Sequence, residues 1–229
     1  MSTISVNSEG ECSATVAVNH RPSAVARCNA FYVLARAFDL PRTMDDACPS
    51  LLRASFLALH ESLHAAAERT AEAWQHALTL REALSVAHAR LFLGPFEILA
   101  PPYASLYLSP DRRLMGKVSL EAARHYSEAG LKPNSSPREA PDHVTLELEF
   151  MYFLAFRELI DDEPVWTERQ RRFWCSHLGQ WLPDLARNMA AADCHPFYDE
   201  LASLLVSFGA TETARFELNA LVRCPHGAL

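Results

Sequence analysis

Apolar residues recur every three or four positions along most of this chain, which is the period of a helix that buries one face. Near the start, Cys28, Phe31 and Phe38 follow this spacing. The pattern predicts a first helix that is capped by Ser23 and ends before Pro41. Similar spacing after Pro49, and then through an alanine-rich segment that reaches residue 77, predicts one or two more helices.

Glycine, proline and capping residues set the expected limits of the next helices. Thr79 followed by Glu82 has the form of a capping box, which predicts a helix that starts there. That helix must end near Gly94 and Pro95. Helical spacing resumes near Gly116, and Gly130 is placed to end that helix in a left-handed conformation.

Between these two helices, residues 96–115 contain three prolines that forbid a continuous helix. Within this stretch, residues 103–108 are expected to form at most one short extended piece. A loop this long and apolar inside a compact domain is usually functional.

The strongest helical pattern follows Asp142, which is expected to cap it. Beyond the acidic turn at residues 161–164, three or four further helices are expected, to about Val222. Residues 132–141 are rich in proline and are expected to be a linker, and residues 1–22 a disordered tail. The predicted fold is all-α: a single globular bundle of roughly ten helices over residues 23–229.

Composition and charge narrow the range of possible binding partners. The 229 residues carry 28 Asp and Glu against 21 Lys and Arg, a net charge of -7. This balance disfavours nucleic acids and anionic membranes and favours a basic partner. The chain has no apolar run long enough to span a membrane and no signal-peptide pattern, so we expect a cytoplasmic protein without an integral membrane segment.

Six cysteines without a CxxC pair are expected to be reduced and mostly packing residues. Seven unclustered glycines offer no phosphate-binding loop, which disfavours nucleotide chemistry but leaves weak nucleotide binding open. No cofactor is expected, and the sequence does not tell whether a nucleotide or the molybdenum cofactor is bound. The sequence leaves the oligomeric state open.

One enzymatic alternative rests on the sequence HESLH at residues 60–64. On a helix, His60 and His64 would lie one turn apart and could bind zinc, with Glu61 activating a metal-bound water. A third ligand would have to come from a residue such as Glu68 or Glu72. The alternative is a zinc metallopeptidase.

Two features point instead to peptide binding. Residues 91–108, which run from the end of the preceding helix into the proline-rich loop, carry four aromatic residues that could form the wall of an apolar groove or fill the core: Phe92, Phe96, Tyr103 and Tyr107. The second feature is Asp142 and His143 at the start of the apolar helix. Nearby acids, including Glu147, Glu149 and the cluster at residues 161–163, could pair with arginines of a bound segment.

The segment LFLGPFEILAPPYASLYL at residues 91–108, followed by PDHVTLELEFMYFL at residues 141–154, resembles the TorD/DmsD family of redox-enzyme maturation chaperones. His177, Trp181 and residues 196–198 are similar to the C-terminal pattern of that family. The resemblance covers roughly residues 25 to 210.

This resemblance implies a TorD-like helical protein that is not an enzyme. Such a protein binds the twin-arginine leader of a molybdoenzyme precursor in the cytoplasm and holds the precursor until its cofactor is inserted. The implied leader-binding pocket has an aromatic wall (Phe92, Phe96) and a loop floor (Pro102, Tyr103, Ser105). The leader backbone would approach closely at Gly116, and Asp142 with His143 would form a polar rim. The charge argument adds Glu149 to these binding residues.

Phe96 and Tyr103 stand where some relatives have tryptophan, and His88 stands where an aromatic residue can occur. The preference of those relatives for particular leader sequences therefore cannot be transferred to this chain. A helical scaffold that binds another partner helix in the same groove remains an alternative.

Overall fold

The structure is a computed structural model that describes residues 22–94, 98–131 and 139–223. The expected tail (residues 1–22) and linker (residues 132–141) lie mostly outside these ranges. Within them the chain forms ten α-helices and no strand, which confirms the all-α prediction. The helices are α1 (Pro22–Arg36), α2 (Cys48–Leu57), α3 (His64–Thr79), α4 (Arg81–His88), α5 (Ser105–Leu108), α6 (Lys117–Glu128), α7 (Val144–Asp161), α8 (Pro164–Phe173), α9 (Gly179–Ala192) and α10 (Pro196–Arg223).

Two of these helices run on into wider turns of the π type. The turn Ala89–Leu93 extends α4, and the turn Trp174–Leu178 joins α8 to α9. The first turn ends at Gly94, whose φ of 42° suits glycine. Gly130 has a φ of 85° and lies just after α6, so both glycines end helices as the sequence predicts.

Some local predictions are wrong. The capping box at Thr79 does not form, because the Thr79 hydroxyl donates to the His76 carbonyl and α4 begins after Leu80. Residues 103–108 are not extended, since Ser105–Leu108 forms one helical turn. Three prolines do forbid a long helix here, but a single turn fits after the last proline of the pair at residues 101–102.

The helices pack in a connected series around one core. The first helix lies against both α7 and α2, α2 against α3, and α10 lies between α3 and α9. At the centre, the rings of Phe31 and Phe56 each meet the ring of Phe208 edge-on, with centroids 5.2 and 5.3 Å apart. Burying side chains of this size provides much of the stability of the bundle.

None of the described helices combines the length and the apolar character that crossing a bilayer needs. Four of the cysteines lie in the described ranges, and all four are free thiols: Cys28, Cys48, Cys175 and Cys194.

Candidate functional site: a braced turn beside the proline-rich loop

The start of α7 and the proline-rich loop are joined through the side chain of Asp142, which is fully buried. Its Oδ2 accepts a 2.9 Å hydrogen bond from the backbone N–H of Ser105. Its Oδ1 accepts a 2.6 Å hydrogen bond from the hydroxyl of Ser119 on α6. Asp142 therefore ties the loop, α6 and α7 together.

Backbone hydrogen bonds complete this junction. The N–H of Ala104 donates to the carbonyl of Asp142, and the N–H of Val144 donates to the carbonyl of Pro102, both at 2.9 Å. These bonds place Tyr103 and His143 opposite each other as a single antiparallel bridge. Two segments that are almost 40 residues apart in the sequence, residues 98–105 and 139–143, thus form one rigid unit, which we call the braced turn.

Tyr103, His143 and Glu139 form a partly exposed cluster on this turn. The rings of Tyr103 and His143 meet edge-on with centroids 5.0 Å apart. The hydroxyl of Tyr103 donates a 2.9 Å hydrogen bond to Glu139 Oε2. Burial lowers the pKa of His143 although Glu139 and Asp142 lie near it, and burial together with Glu139 raises the pKa of Tyr103. The cluster therefore presents two neutral rings and one carboxylate.

The predicted roles of Asp142 are wrong on two points. His143 is the N-cap of α7, because its Nδ1 accepts a 3.2 Å hydrogen bond from the N–H of Thr145. The carboxylate of Asp142 also does not form an exposed rim, since both of its oxygens are bonded inside the protein. Asp142 braces the turn from within.

Of the two phenylalanines expected in the aromatic wall, Phe92 lies in the core. It is 3% exposed and packs edge-on against Phe38, His88 and Tyr198. In this structure it fills the interior behind the loop rather than forming an open wall. Phe96 lies outside the described residues.

The expected loop floor is also largely internal. Pro102 and Ser105 are buried, and the Ser105 hydroxyl has no hydrogen-bond partner. Gly116 precedes α6 and is partly exposed, and a Cβ built on it would lie 3.3 Å from the carbonyl oxygen of Arg113. This contact is internal to the chain, so the close approach of a leader to Gly116 stays a prediction. Only Tyr103 of the expected floor offers side-chain surface to solvent.

Glu149 does not belong to this cluster. It lies on the part of α7 that faces α1, where its carboxylate pairs with the guanidinium of Arg36. The sequence suggested that Glu149 could pair with an arginine of a bound leader, but its partner in this structure is Arg36. Glu149 joins two helices of the core.

A buried hydrogen-bonded cluster of Glu147, His177 and Trp181 lies on the inner side of the braced turn. Glu147, in the first turn of α7, is fully buried and accepts hydrogen bonds from His177 Nε2 at 2.8 Å and Trp181 Nε1 at 2.9 Å. The ring of Trp181 packs on Tyr107 of α5, with centroids 5.3 Å apart. Burial raises the pKa of Glu147 against the opposing effect of His177. Burial alone would lower the pKa of His177, but the charge and hydrogen bond of Glu147, together with Asp142 and Glu121, raise it.

The HESLH sequence does not have the geometry of a zinc peptidase. His60 has an extended backbone before the short turn Glu61–Leu63, and His64 begins α3, so the two imidazoles do not share a helix face. His60 Nδ1 instead lies 2.8 Å from the Ser62 hydroxyl. No group of three potential metal ligands occurs anywhere in the described ranges.

A surface cavity of about 370 Å³ lies between α6 and α8. It takes its lining from Glu128, Val165, Glu168, Arg169 and Arg172. Two of these residues pair with each other, Arg172 with Glu128. No residue of the braced turn lines this cavity.

Sequence reasoning missed Ser119 and Glu139. Ser119 is one polar residue on an amphipathic helix, and nothing in the spacing marks it as the partner of a residue 23 positions away. Glu139 was hidden in the expected linker, although its position three residues before Asp142 was the available signal.

Comparison with known proteins places these residues in a family context. A family model described as the nitrate reductase delta subunit matches residues 50–187, which include the loop and the braced turn. The chaperone protein TorD of Vibrio parahaemolyticus is 28% identical over 57% of this chain and 63% of its own length. The chlorate reductase assembly chaperone protein of Ideonella dechloratans is 33% identical over 44% of this chain and 57% of its own.

These matches span less than two thirds of the length of the first curated relatives. The names of the relatives are those of chaperones, as the resemblance in the sequence implied. A crystal structure from Archaeoglobus fulgidus, described as a redox enzyme maturation protein, superposes with a TM-score of 0.52 at 22% identity. The superposition covers 79% of this chain and 92% of the other, and it shows that the two chains share a fold.

Proposed function

This chain belongs to the TorD family of redox-enzyme maturation chaperones, and we propose that it binds the twin-arginine signal peptide of a molybdenum-cofactor oxidoreductase. On this proposal it holds the precursor in the cytoplasm until the cofactor has been inserted. The observation that carries the proposal is the pairing of Tyr103 with His143 on the braced turn, with the carboxylate of Glu139 beside them.

The chemistry of this cluster suits a leader that has two arginines followed by an apolar stretch. The two neutral rings offer apolar surface, and Glu139 offers a carboxylate to a guanidinium, which binds carboxylates in a fork geometry. Because Asp142 fixes the turn internally, little conformational freedom is lost when a peptide binds.

Charge and apolar contact have different parts in this binding. Exposed ion pairs contribute only about 0 to 1 kcal/mol each, so burial of the apolar stretch must supply most of the affinity. The net charge of -7 favours encounter with a cationic peptide, and Glu139 sets the register.

Calorimetric titration of the full chain with a synthetic leader tests the proposal. The leader contains Ser-Arg-Arg-X-Phe-Leu-Lys and an apolar stretch, and a second peptide has lysine in place of both arginines. We expect the lysine peptide to bind about tenfold more weakly, because lysine cannot make the bidentate contact. Equal binding of the two peptides would favour a scaffold for apolar helices over a twin-arginine receptor.

A pair of variants locates the binding to the cluster. Tyr103→Ala removes one of its two rings and is expected to weaken leader binding about tenfold. Tyr32→Ala is the matched control, since Tyr32 is 38% exposed on α1 and packs against Tyr152 instead. An equal loss in the two variants would overturn the assignment of the site.

A further inference from the structure

The turn between α5 and α6 carries two adjacent arginines, Arg112 and Arg113, whose side chains are exposed to solvent. In the described part of the chain, neither of them forms an ion pair. The arginines at residues 171–172 are also adjacent, but carboxylates of α8 and α6 pair with them. The pair between α5 and α6 is therefore available to a partner.

Apolar side chains follow these two arginines. Leu114 is 45% exposed, Met115 67% and Leu120 69%. Residues 111–117 read Asp-Arg-Arg-Leu-Met-Gly-Lys, and the twin-arginine leader pattern reads Ser-Arg-Arg-X-Phe-Leu-Lys. The two sequences share both arginines, an apolar residue two positions after them and a final lysine, and they differ at the first and sixth positions. The turn thus offers much of the chemistry of a leader.

Asp142 holds both ends of this segment at the braced turn. Its carboxylate accepts hydrogen bonds from the Ser105 N–H before residues 106–118 and from the Ser119 hydroxyl after them. The chain therefore leaves the braced turn and returns to it, and the arginines lie midway along the protruding segment. A ligand that is displayed from a fixed base loses little conformational freedom when it binds.

The backbone of the turn has an uncommon shape. Arg112 has a φ of 48° and Met115 a φ of 56°, in the left-handed region that residues other than glycine rarely adopt. Such conformations persist only where the surrounding structure imposes them, and they cluster at functional sites. The two ends that Asp142 holds provide this constraint.

The leader site, which is the cluster of Tyr103, His143 and Glu139, complements this turn. Glu139 accepts a hydrogen bond from Tyr103 but forms no ion pair within the described residues, so neither arginine of the turn reaches it in the same copy. The two rings offer apolar surface beside this carboxylate. Because the turn and the leader site lie on the same part of the molecule, two copies related by a two-fold axis can each place the turn on the site of the other.

We propose that residues 109–117 of one copy of this chain bind the leader site of a second copy, so that the second copy and a leader compete for it. This inference rests on the proposed function and adds to it a partner, a second copy of the chain. Ion pairs at an exposed site are weak, so the association is expected to be weak and reversible. A leader displaces the second copy because its longer apolar stretch buries more surface.

Sedimentation velocity of the full chain over a range of concentrations tests the association. We expect the wild type to form dimers reversibly and the double variant Arg112→Gln, Arg113→Gln to remain monomeric. The matched control is Arg42→Gln with Arg187→Gln, which removes two exposed arginines outside the turn and should leave the dimer unchanged. Tyr103→Ala should weaken the association, because it removes one ring of the leader site.

Competition with the synthetic leader tests whether the two partners share one site. The twin-arginine leader should convert the dimers into monomers, and the lysine peptide should do so only at about tenfold higher concentration. Where a second copy covers about nine in ten sites, the leader should bind the double variant about tenfold more tightly than the wild type, since covered sites reduce the apparent affinity by that factor.

Three results would overturn the inference: a wild type that stays monomeric, dimers that persist in the double variant, or dimers that the bound leader does not dissociate. Each of them leaves the proposed function intact, because the leader still binds. Failure of the wild type and of the double variant to bind the leader at any chain concentration would overturn the proposed function itself, and with it the shared site.

Discussion

Asp142 and Ser119 meet inside the protein, where the Ser119 hydroxyl donates a 2.6 Å hydrogen bond to the Asp142 carboxylate. The acidic residue that the sequence placed at an exposed rim is thus a buried brace. The side chains that are partly exposed at this turn are those of its neighbours Tyr103 and His143. A leader contact at this turn depends on Asp142 through the shape of the turn rather than through direct charge.

Removing this brace should destabilise the whole fold. Asp142→Ala leaves the Ser105 N–H and the Ser119 hydroxyl without partners, and we expect the free energy of unfolding to fall by about 2–4 kcal/mol. Urea unfolding measures this change. Asp184→Ala is the control, since Asp184 pairs with Arg187 on the surface and its loss should cost no more than about 0.5 kcal/mol. Similar losses would contradict the role of Asp142.

Two glycines should respond to alanine in opposite directions. A Cβ on Gly179 would lie 2.8 Å from both Nε1 and the carbonyl oxygen of Trp174, so Gly179→Ala should destabilise by about 1–3 kcal/mol. Gly209 lies within α10 with no atom near its Cβ position, so Gly209→Ala should stabilise by about 0.5–1 kcal/mol. Thermal unfolding of both variants checks the prediction, and a shift of the same sign would contradict it.

Acid should destabilise the fold through two buried histidines. Burial, as the largest cause, lowers the pKa of His88 and of His125 to about 4, against about 6.5 when unfolded. Between these values the unfolded chain binds protons that the folded chain does not, so stability falls as the pH drops from about 6.5 to about 4. His125→Gln should reduce this slope in urea unfolding at several pH values. An unchanged slope in His125→Gln would contradict the role of this histidine.

Glu147 and His177 should make the folded protein less stable as the pH rises above about 6.5. Since the pKa of His177 is raised in the fold, its protonated form stabilises the protein below about pH 6.5, and this contribution is lost as the pH rises through the folded pKa. Ionising the buried Glu147, whose pKa is also raised, works in the same direction. Glu147→Gln should therefore lose less stability between neutral and mildly alkaline pH than the wild type. An unchanged alkaline slope would show that the pair is not charged.

Phe96 and Glu149 should differ in their effect on leader binding. Phe96→Ala is expected to weaken the binding, because apolar contact supplies most of the affinity. Glu149→Ala breaks the pair with Arg36 between α1 and α7, so it should lower stability and leave leader affinity nearly unchanged. Calorimetry and urea unfolding on both variants separate the two effects. Equal or reversed losses of affinity would contradict this division.

The architecture could be predicted because local rules determine it. The apolar period of 3.6 residues marks the helices, and Gly94 and Gly130 end two of them for conformational reasons that a sequence displays directly. The family resemblance was also predicted from the sequence, and its loop and turn lie within the residues that the family model matches.

Long-range partners account for what local rules missed. Asp142 has the residue type and position of an N-cap, but its carboxylate is taken by donors 23 and 37 positions away, and His143 caps α7 instead. HESLH fits a metal-binding pattern only on a continuous helix, and the chain becomes helical only after His60. Whether Phe92 is a wall or a core residue likewise depends on Tyr198, which lies more than 100 positions away.

Photo-crosslinking tests the central claim most directly. A twin-arginine leader with a photoreactive group in its apolar stretch is bound to the full chain, irradiated, and the products are mapped by mass spectrometry. The account predicts crosslinks to residues 98–105 and 139–143, the two sides of the braced turn, and their loss when unlabelled leader competes. Competable crosslinks confined to other surfaces, such as the outer face of α1 around Tyr32, would contradict it.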